Sequence, residues 1–259
     1  MRSSGAHACT EQGRWLVVVL HGMLGDVDNW TPTIHTLSEH GYRVIVPLLP
    51  VYDLPMKQTH VPGLVTYVHE FLEQLGIQYA AMIGNSLGGH VALLYTLKYS
   101  RNVAALVLTG SSGIYELEMG SGMMRRRDRE FLRERAAMTF YDPSHATDEL
   151  VDEVLDIVND RSRALRLIKM ARSAQAETVT EELPEIDRPT LLVWGRNDQI
   201  TPPNVAEEFL HRLPSSTLRF IDQCGHAPMI EHPDTFNQIT LDFLEHTIGA
   251  AELAPTTGS

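Results

Sequence analysis

The sequence predicts an α/β fold, a doubly wound, mostly parallel sheet of about six to eight strands with helices on both faces. Three observations carry this expectation. Continuous apolar runs, such as Trp15–Leu20 and Val103–Thr109, have the composition of strands buried on both faces. Helical patterns alternate with those runs, as parallel neighbours joined by crossovers require. The third is Gly84-Asn85-Ser86-Leu87-Gly88, a glycine-flanked serine between a strand and a helix.

Each element has a local reason. Trp15–Leu20 is the first buried strand. Thr31 and Pro32 then open a helix, with Thr31 as cap and Pro32 in its first turn, and Gly41 ends it. A second strand is expected at 43–46, followed by a loop at 47–62 holding Pro47, Pro50, Pro55 and Pro62. A helix at 63–75 is stopped by Gly76. The apolar run 79–83 enters the serine turn, and a helix leaves it toward Tyr99. After 103–109, further strands are expected at 190–194 and 217–221, with a helix at 204–212 between them and a closing helix at 233–246.

One stretch breaks the alternation. Between Gly110 and Thr190 there are only helical patterns, at 123–138 and 147–174. An insertion there lies over the carboxyl ends of the strands, where open α/β sheets bind ligands. The expected organisation is a core of 15–110 and 187–248, a helical cap of 111–186, and disordered tails at 1–14 and 249–259. The short stretch before Trp15 leaves room for about six core strands and at most one short extra.

Bulk properties narrow the function. The chain has 259 residues, 43% hydrophobic and 21% charged, with a formal net charge of -12. That charge argues against nucleic acid and anionic membranes as partners, since both need a basic face. Cys9 and Cys224 do not make a disulfide framework; Cys224 reads as a small apolar filler. The N-terminal stretch lacks the apolar segment of a signal peptide, and no apolar run approaches the ~20 residues that span a bilayer. The expectation is a soluble cytoplasmic protein, monomer or homodimer, acting on a small molecule.

Four motifs carry chemistry. His21-Gly22-Met23-Leu24-Gly25 follows the first strand. The Ser86 turn is a nucleophile elbow, in which a sharp reversal strains the serine and side chains at Gly84 and Gly88 would collide. Gly195-Arg196-Asn197-Asp198 follows a strand end, and Gly225-His226-Ala227-Pro228 follows another. In these motifs, and in their order, the chain resembles the α/β-hydrolase fold enzymes over 15–248, specifically the capped branch of esterases and carbon–carbon bond hydrolases.

The resemblance implies roles. Ser86 would be the nucleophile, His226 the general base and Asp198 the acid that orients it. The backbone N–H groups of Met23 and Leu87 would form the oxyanion hole. Asp222 is the rival acid by proximity to His226, but its place suggests a strand end. His90 competes as base, although its helix carries it away from the serine. His232 reads as a residue before a helix, and His21 as a loop-shaping one. No cofactor and no metal are implied.

Substrate is less legible. A serine nucleophile argues against the family's dehalogenases and epoxide hydrolases, which use aspartate. Ring-cleavage carbon–carbon hydrolases often carry tryptophan after the base; Ala227-Pro228 stands here, as in many esterases. Arg125, Arg126 and Arg127 are candidates for holding a substrate carboxylate, against a plainer reading as a solvated helix face. Met119, Met123, Met124, Met138 and Met170 line a pocket or fill the cap interface. Relatives carry Asp-x-Arg-Gly-x-Gly after the second strand, whereas this chain has Pro50-Val51-Tyr52-Asp53-Leu54-Pro55. The leading expectation is an esterase for small or medium carboxylic esters. A carbon–carbon hydrolase or lyase for carboxylated dienoates or ketones stays open, as does a non-catalytic ligand receptor.

Overall fold

The computed structural model describes residues 7–9, 15–115 and 128–248. Its strands are β1 (His7–Cys9), β2 (Trp15–Leu20), β3 (Tyr42–Pro47), β4 (Ala80–Asn85), β5 (Val103–Thr109), β6 (Thr190–Gly195) and β7 (Ser216–Ile221). They form one sheet in the order β1-β3-β2-β4-β5-β6-β7. The six strands from β2 onward are parallel, and β1 pairs antiparallel with β3. The tail expected to be disordered over 1–14 is therefore corrected at His7–Cys9. An edge strand needs only main-chain partners, and β3 supplies them.

The helices are α1 (Thr31–Glu39), α2 (Val61–Gln74), α3 (Leu87–Lys98), α4 (Arg129–Ala137), α5 (Asp148–Asn159), α6 (Arg161–Ala176), α7 (Pro203–Arg212), α8 (Pro228–Glu231) and α9 (Pro233–Thr247). Side chains of β2 show why the strands read as unbroken apolar runs. Val18 and Leu20 join the core beneath α2, α3 and α7, with Leu64, Val91 and Phe209. Val17 and Val19 join the opposite core beneath α1 and α9, with Leu37, Phe236 and Leu244. Burying each such side chain stabilises the fold by roughly 1.5–3 kcal/mol.

The start of α1 differs from expectation. Asp26 Oδ1 accepts the N–H groups of Asp28 and Asn29, starting a 3-10 turn at Asp28–Trp30 that runs into α1. Trp30 is thus the residue before the helix, and Thr31 lies inside it without a capping role.

Among the described residues, the chain between β5 and β6 holds α4, α5 and α6 and no strand. Leu132, Val151 and Val154 form a small apolar cluster between α4 and α5. Arg129 bridges the same pair through Asp148 at 2.7 Å and Asp152 at 2.8 Å. Arg125, Arg126, Arg127, Met119, Met123 and Met124 lie outside the described residues, as does the tail at 249–259.

Candidate active site

The site forms at the carboxyl ends of β2, β4, β5 and β6. Ser86 leaves β4 with φ 53 and ψ -119, a left-handed backbone rare for a residue with a side chain. The turn is closed by contact. A Cβ on Gly84 would lie 2.6 Å from the main chain of Gly88, and one on Gly88 would lie 2.1 Å from the carbonyl oxygen of Leu20. Only hydrogen fits at either place. The strained serine is held from both sides: its N–H donates to Thr109 O at 3.1 Å, and its carbonyl accepts from Ser112 N at 3.2 Å.

His226 reaches the same strand end from the far side of the sequence. A Cβ on Gly110, directly after β5, would sit 2.8 Å from His226 Nδ1. The loop carrying His226 is tied down by main-chain bonds. Its N–H donates to Thr139 O at 2.7 Å, and Gly225 N–H donates to Glu231 Oε1 at 2.7 Å. Glu231 Oε2 accepts from Tyr141 N–H at 2.6 Å, so one carboxylate joins this loop to the segment after α4.

Asp198 lies after β6 and is 3% exposed. Its Oδ2 is 2.8 Å from His226 Nδ1 and accepts from Thr201 Oγ1 at 2.9 Å. Its Oδ1 accepts the N–H groups of Ile200 at 2.8 Å and Thr201 at 3.0 Å. A carboxylate so surrounded has a fixed orientation.

The rivals are occupied elsewhere. Asp222 is at the surface, paired with Arg196 at 2.6 Å. His90 is buried in α3 with Nε2 2.7 Å from Glu177 O, and burial pushes its pKa down to about 4. His232 precedes α9, with Nε2 2.8 Å from Gln223 O. His21 accepts the Leu49 N–H on Nε2 at 2.8 Å and reaches Gly22 O with Nδ1 at 2.7 Å. Both ring nitrogens of His21 are used in shaping its loop, and burial lowers its pKa.

Ser86, His226 and Met23 line one cavity of about 280 Å³. A Cβ on Gly22 would come 3.5 Å from Ser86 Cβ, so the loop of Met23 runs closely past the serine. Leu87 is the first residue of α3, with its side chain buried in the core. Its N–H belongs to the helix's first turn, where amides have no acceptor within the helix. Leu150, Val154 and Leu167 close the cavity from α5 and α6. Its charged lining, among the described residues, is Asp26 and Glu153. Burial raises the Glu153 pKa, the Asp26 carboxylate adds to the rise, and Arg163 opposes it.

Asn85, Thr201 and Glu231 support the site without having been singled out by sequence. Asn85 Nδ2 donates to Thr109 O and to His226 O. Of the three, Thr201 alone has a local signature, since Asp198-x-x-Thr201 has the spacing of turn chemistry. No helix among the described residues is long and apolar enough to cross a membrane.

Parallel strands β2 to β7 with helices α4 to α6 between β5 and β6 have the architecture of the alpha/beta hydrolase fold. A family model for the alpha/beta hydrolase fold matches residues 16–233, and the chain belongs to that family. It is 29% identical over 255 residues to the 2-hydroxy-6-oxononadienedioate/2-hydroxy-6-oxononatrienedioate hydrolase 2 of Pseudomonas putida, covering 91% of this chain and 89% of that protein. The Escherichia coli K12 hydrolase of the same description is 31% identical over 258 residues, covering 90% and 88%. Among solved structures, MGS-MChE2, an alpha/beta hydrolase enzyme from the metagenome of lagoon sediments at Mar Chica, Morocco, superposes with a TM-score of 0.78. It shares 34% identity over 95% of this chain and 97% of its own. The meta-cleavage product hydrolase CumD of Pseudomonas fluorescens, at TM-score 0.79 and 24% identity over 93% of each chain, shares the fold.

Proposed function

We propose that this chain is a serine hydrolase that cleaves small or medium carboxylic esters through an acyl-enzyme. One observation carries the reading. Ser86 and His226 line a single cavity, and Asp198 is bonded to the far ring nitrogen of His226. Ser86 Oγ attacks the acyl carbonyl while His226 Nε2 takes its proton. Asp198 holds the Nδ1–H tautomer and stabilises the imidazolium. The N–H groups of Met23 and Leu87 meet the developing oxyanion. His226 then protonates the departing alkoxide, and water repeats the sequence on the acyl-enzyme. In this reading α4 to α6 act as a cap that closes the acyl pocket.

The lining chemistry supports a neutral ester. Among the described residues the lining is mostly apolar, and its carboxylates are those of Asp26 and Glu153. A dicarboxylate would meet like charge there. Ala227 lines the cavity where ring-cleavage enzymes often carry tryptophan. The second reading, carbon–carbon bond hydrolysis of a carboxylated dienoate, is favoured by the names of the Pseudomonas putida and Escherichia coli relatives.

The test is turnover of p-nitrophenyl acetate and butyrate beside a ring-cleavage dienedioate. Ester cleavage in the native chain, absent in Ser86→Ala together with fluorophosphonate labelling, is the expected result. Full ester turnover in Ser86→Ala would reject the nucleophile. A dienedioate hydrolysed far faster than either ester would favour the second reading.

A further inference from the structure

The Pro-rich loop between β3 and α2 has no part in the chemistry of Ser86, His226 and Asp198, yet it touches the proposed oxyanion loop directly. Tyr52 Oη donates to Met23 O at 2.9 Å. The receiving carbonyl belongs to the residue whose N–H is the proposed donor. The Met23 carbonyl lies in the peptide plane after Met23 and the N–H in the plane before it, so a hydrogen bond to the carbonyl restrains the N–H through the Cα the two planes share. Tyr52 stands in the segment Pro50-Val51-Tyr52-Asp53-Leu54-Pro55.

The loop itself is gripped along its length by one face of α6. The Arg163 guanidinium lies 4.9 Å over the Tyr52 ring centroid. Arg166 Nε donates to Leu54 O at 2.9 Å, and Lys169 Nζ donates to Met56 O. Ser173 Oγ accepts the Val61 N–H at 2.9 Å. These four α6 residues recur every three or four positions, the spacing of a single helical face. The chain of contact thus runs from α6, through the 47–62 loop, to the carbonyl of Met23. Burial pushes the Tyr52 phenol above its ordinary pKa despite the nearby Arg163, so the hydroxyl remains a donor at any working pH.

We infer that Tyr52 is a positioning residue for the oxyanion hole, and that α6, through Arg163, couples the seating of the helical insertion to the aim of the Met23 N–H. The inference rests on the serine-hydrolase reading, since it needs Met23 to face an oxyanion. The loop then carries the position of α6 to the donor that stabilises the transition state.

The experiment compares Tyr52→Phe, Arg163→Met and Arg163→Lys with the native chain on p-nitrophenyl butyrate. It adds inhibition by an alkyl trifluoromethyl ketone, whose hemiketal oxyanion occupies the same donors. Loss of a whole oxyanion donor costs about a hundredfold or more in kcat, so loosening one is expected to cost about tenfold. Tyr52→Phe should therefore lower kcat by about tenfold and weaken the ketone equally, with KM changed less than about twofold. Arg163→Met should do the same to a smaller degree without touching the hydrogen bond, and Arg163→Lys should recover most of the loss. Native kcat and ketone affinity in both Tyr52→Phe and Arg163→Met would overturn the inference. So would losses of kcat that follow a fall in unfolding temperature, which would mark a merely structural role. Ser86→Ala separates the two levels. If it is inactive and the Tyr52 and Arg163 variants are native-like, this inference alone fails; if it keeps full turnover, the serine reading fails and this one with it.

Discussion

Asn85 Nδ2 donates to the carbonyl of His226 at 3.1 Å, joining the residue before the proposed nucleophile to the proposed base. The same amide donates to Thr109 O at 3.0 Å. One buried side chain thus ties together the ends of β4 and β5 and the loop after β7. Asn85→Ala removes one donor from each of two buried carbonyls, of which Thr109 O keeps the Ser86 N–H, a loss of about 1–3 kcal/mol in stability. Urea unfolding should report that loss, and ester turnover should fall with it because the His226 loop is no longer fixed against the elbow. Unchanged urea midpoints and turnover would show that the amide is dispensable.

Asp198 and Thr201 allow the relay to be separated from its support. Asp198→Asn replaces the acceptor facing His226 Nδ1 and should lower kcat by about 10³- to 10⁴-fold through the wrong tautomer. Thr201→Val removes one donor to Asp198 Oδ2, while Oδ1 keeps the Ile200 and Thr201 N–H groups. The carboxylate should stay in place, so its kcat should fall by only about threefold to tenfold. Steady-state kinetics of the two variants give the comparison, and equal losses would contradict the division of roles.

The acidic side of the cavity predicts discrimination by charge. Asp26 and Glu153 both line it, at the edge where solvent still screens them. An acyl chain ending in a carboxylate should be cleaved about twofold to fivefold less well than its neutral methyl counterpart at low salt. Added salt should narrow the gap. Glu153→Gln combined with Asp26→Asn should narrow it too, because an asparagine oxygen can still accept the N–H groups that start the turn at Asp28. Rates for p-nitrophenyl butyrate and its hemisuccinate analogue in native and doubly substituted chains are the measurement. A preference for the anionic ester in the native chain would count against this account.

The strands were legible because both faces of the sheet are covered. Val17 to Leu20 all face a core, so the run needs no polar alternation to be recognised. The candidate residues Ser86, Asp198 and His226 follow the ends of β4, β6 and β7 by one, three and five residues, and strand ends can be found from apolar runs. The parts that were hidden depend on partners distant in sequence. Asn85 meets His226 across 141 positions, and Glu231 meets Tyr141 across 90, with nothing in either local pattern to announce it. β1 was hidden because its pairing with β3 is a main-chain matter, indifferent to composition. The cap of α1 was misread because the Asp26 carboxylate starts a 3-10 turn ahead of the helix, a choice between two good capping residues that propensity does not settle.

His90 should shape the acid limb of stability. It is fully buried in α3, with Nε2 2.7 Å from Glu177 O, and burial holds its pKa at about 4 against an ordinary 6.5. In the unfolded chain the imidazole takes a proton near its ordinary pKa, but the native chain refuses one until pH has fallen to about 4. Between those limits unfolding binds a proton, so stability rises with pH through the window. It is complete above the ordinary pKa and is lost progressively as pH falls toward the native value, by at most about 1.4 kcal/mol per pH unit for this one group. His21 is shifted in the same direction and adds to the slope. His90→Gln keeps an N–H donor within reach of Glu177 O and cannot titrate. Its urea-unfolding free energy should therefore decline less steeply than that of the native chain from pH 7 to pH 4.5, even where it starts lower. Parallel curves for the two proteins would mean that His90 takes up its proton in the folded state, and that the burial reading of this histidine is wrong.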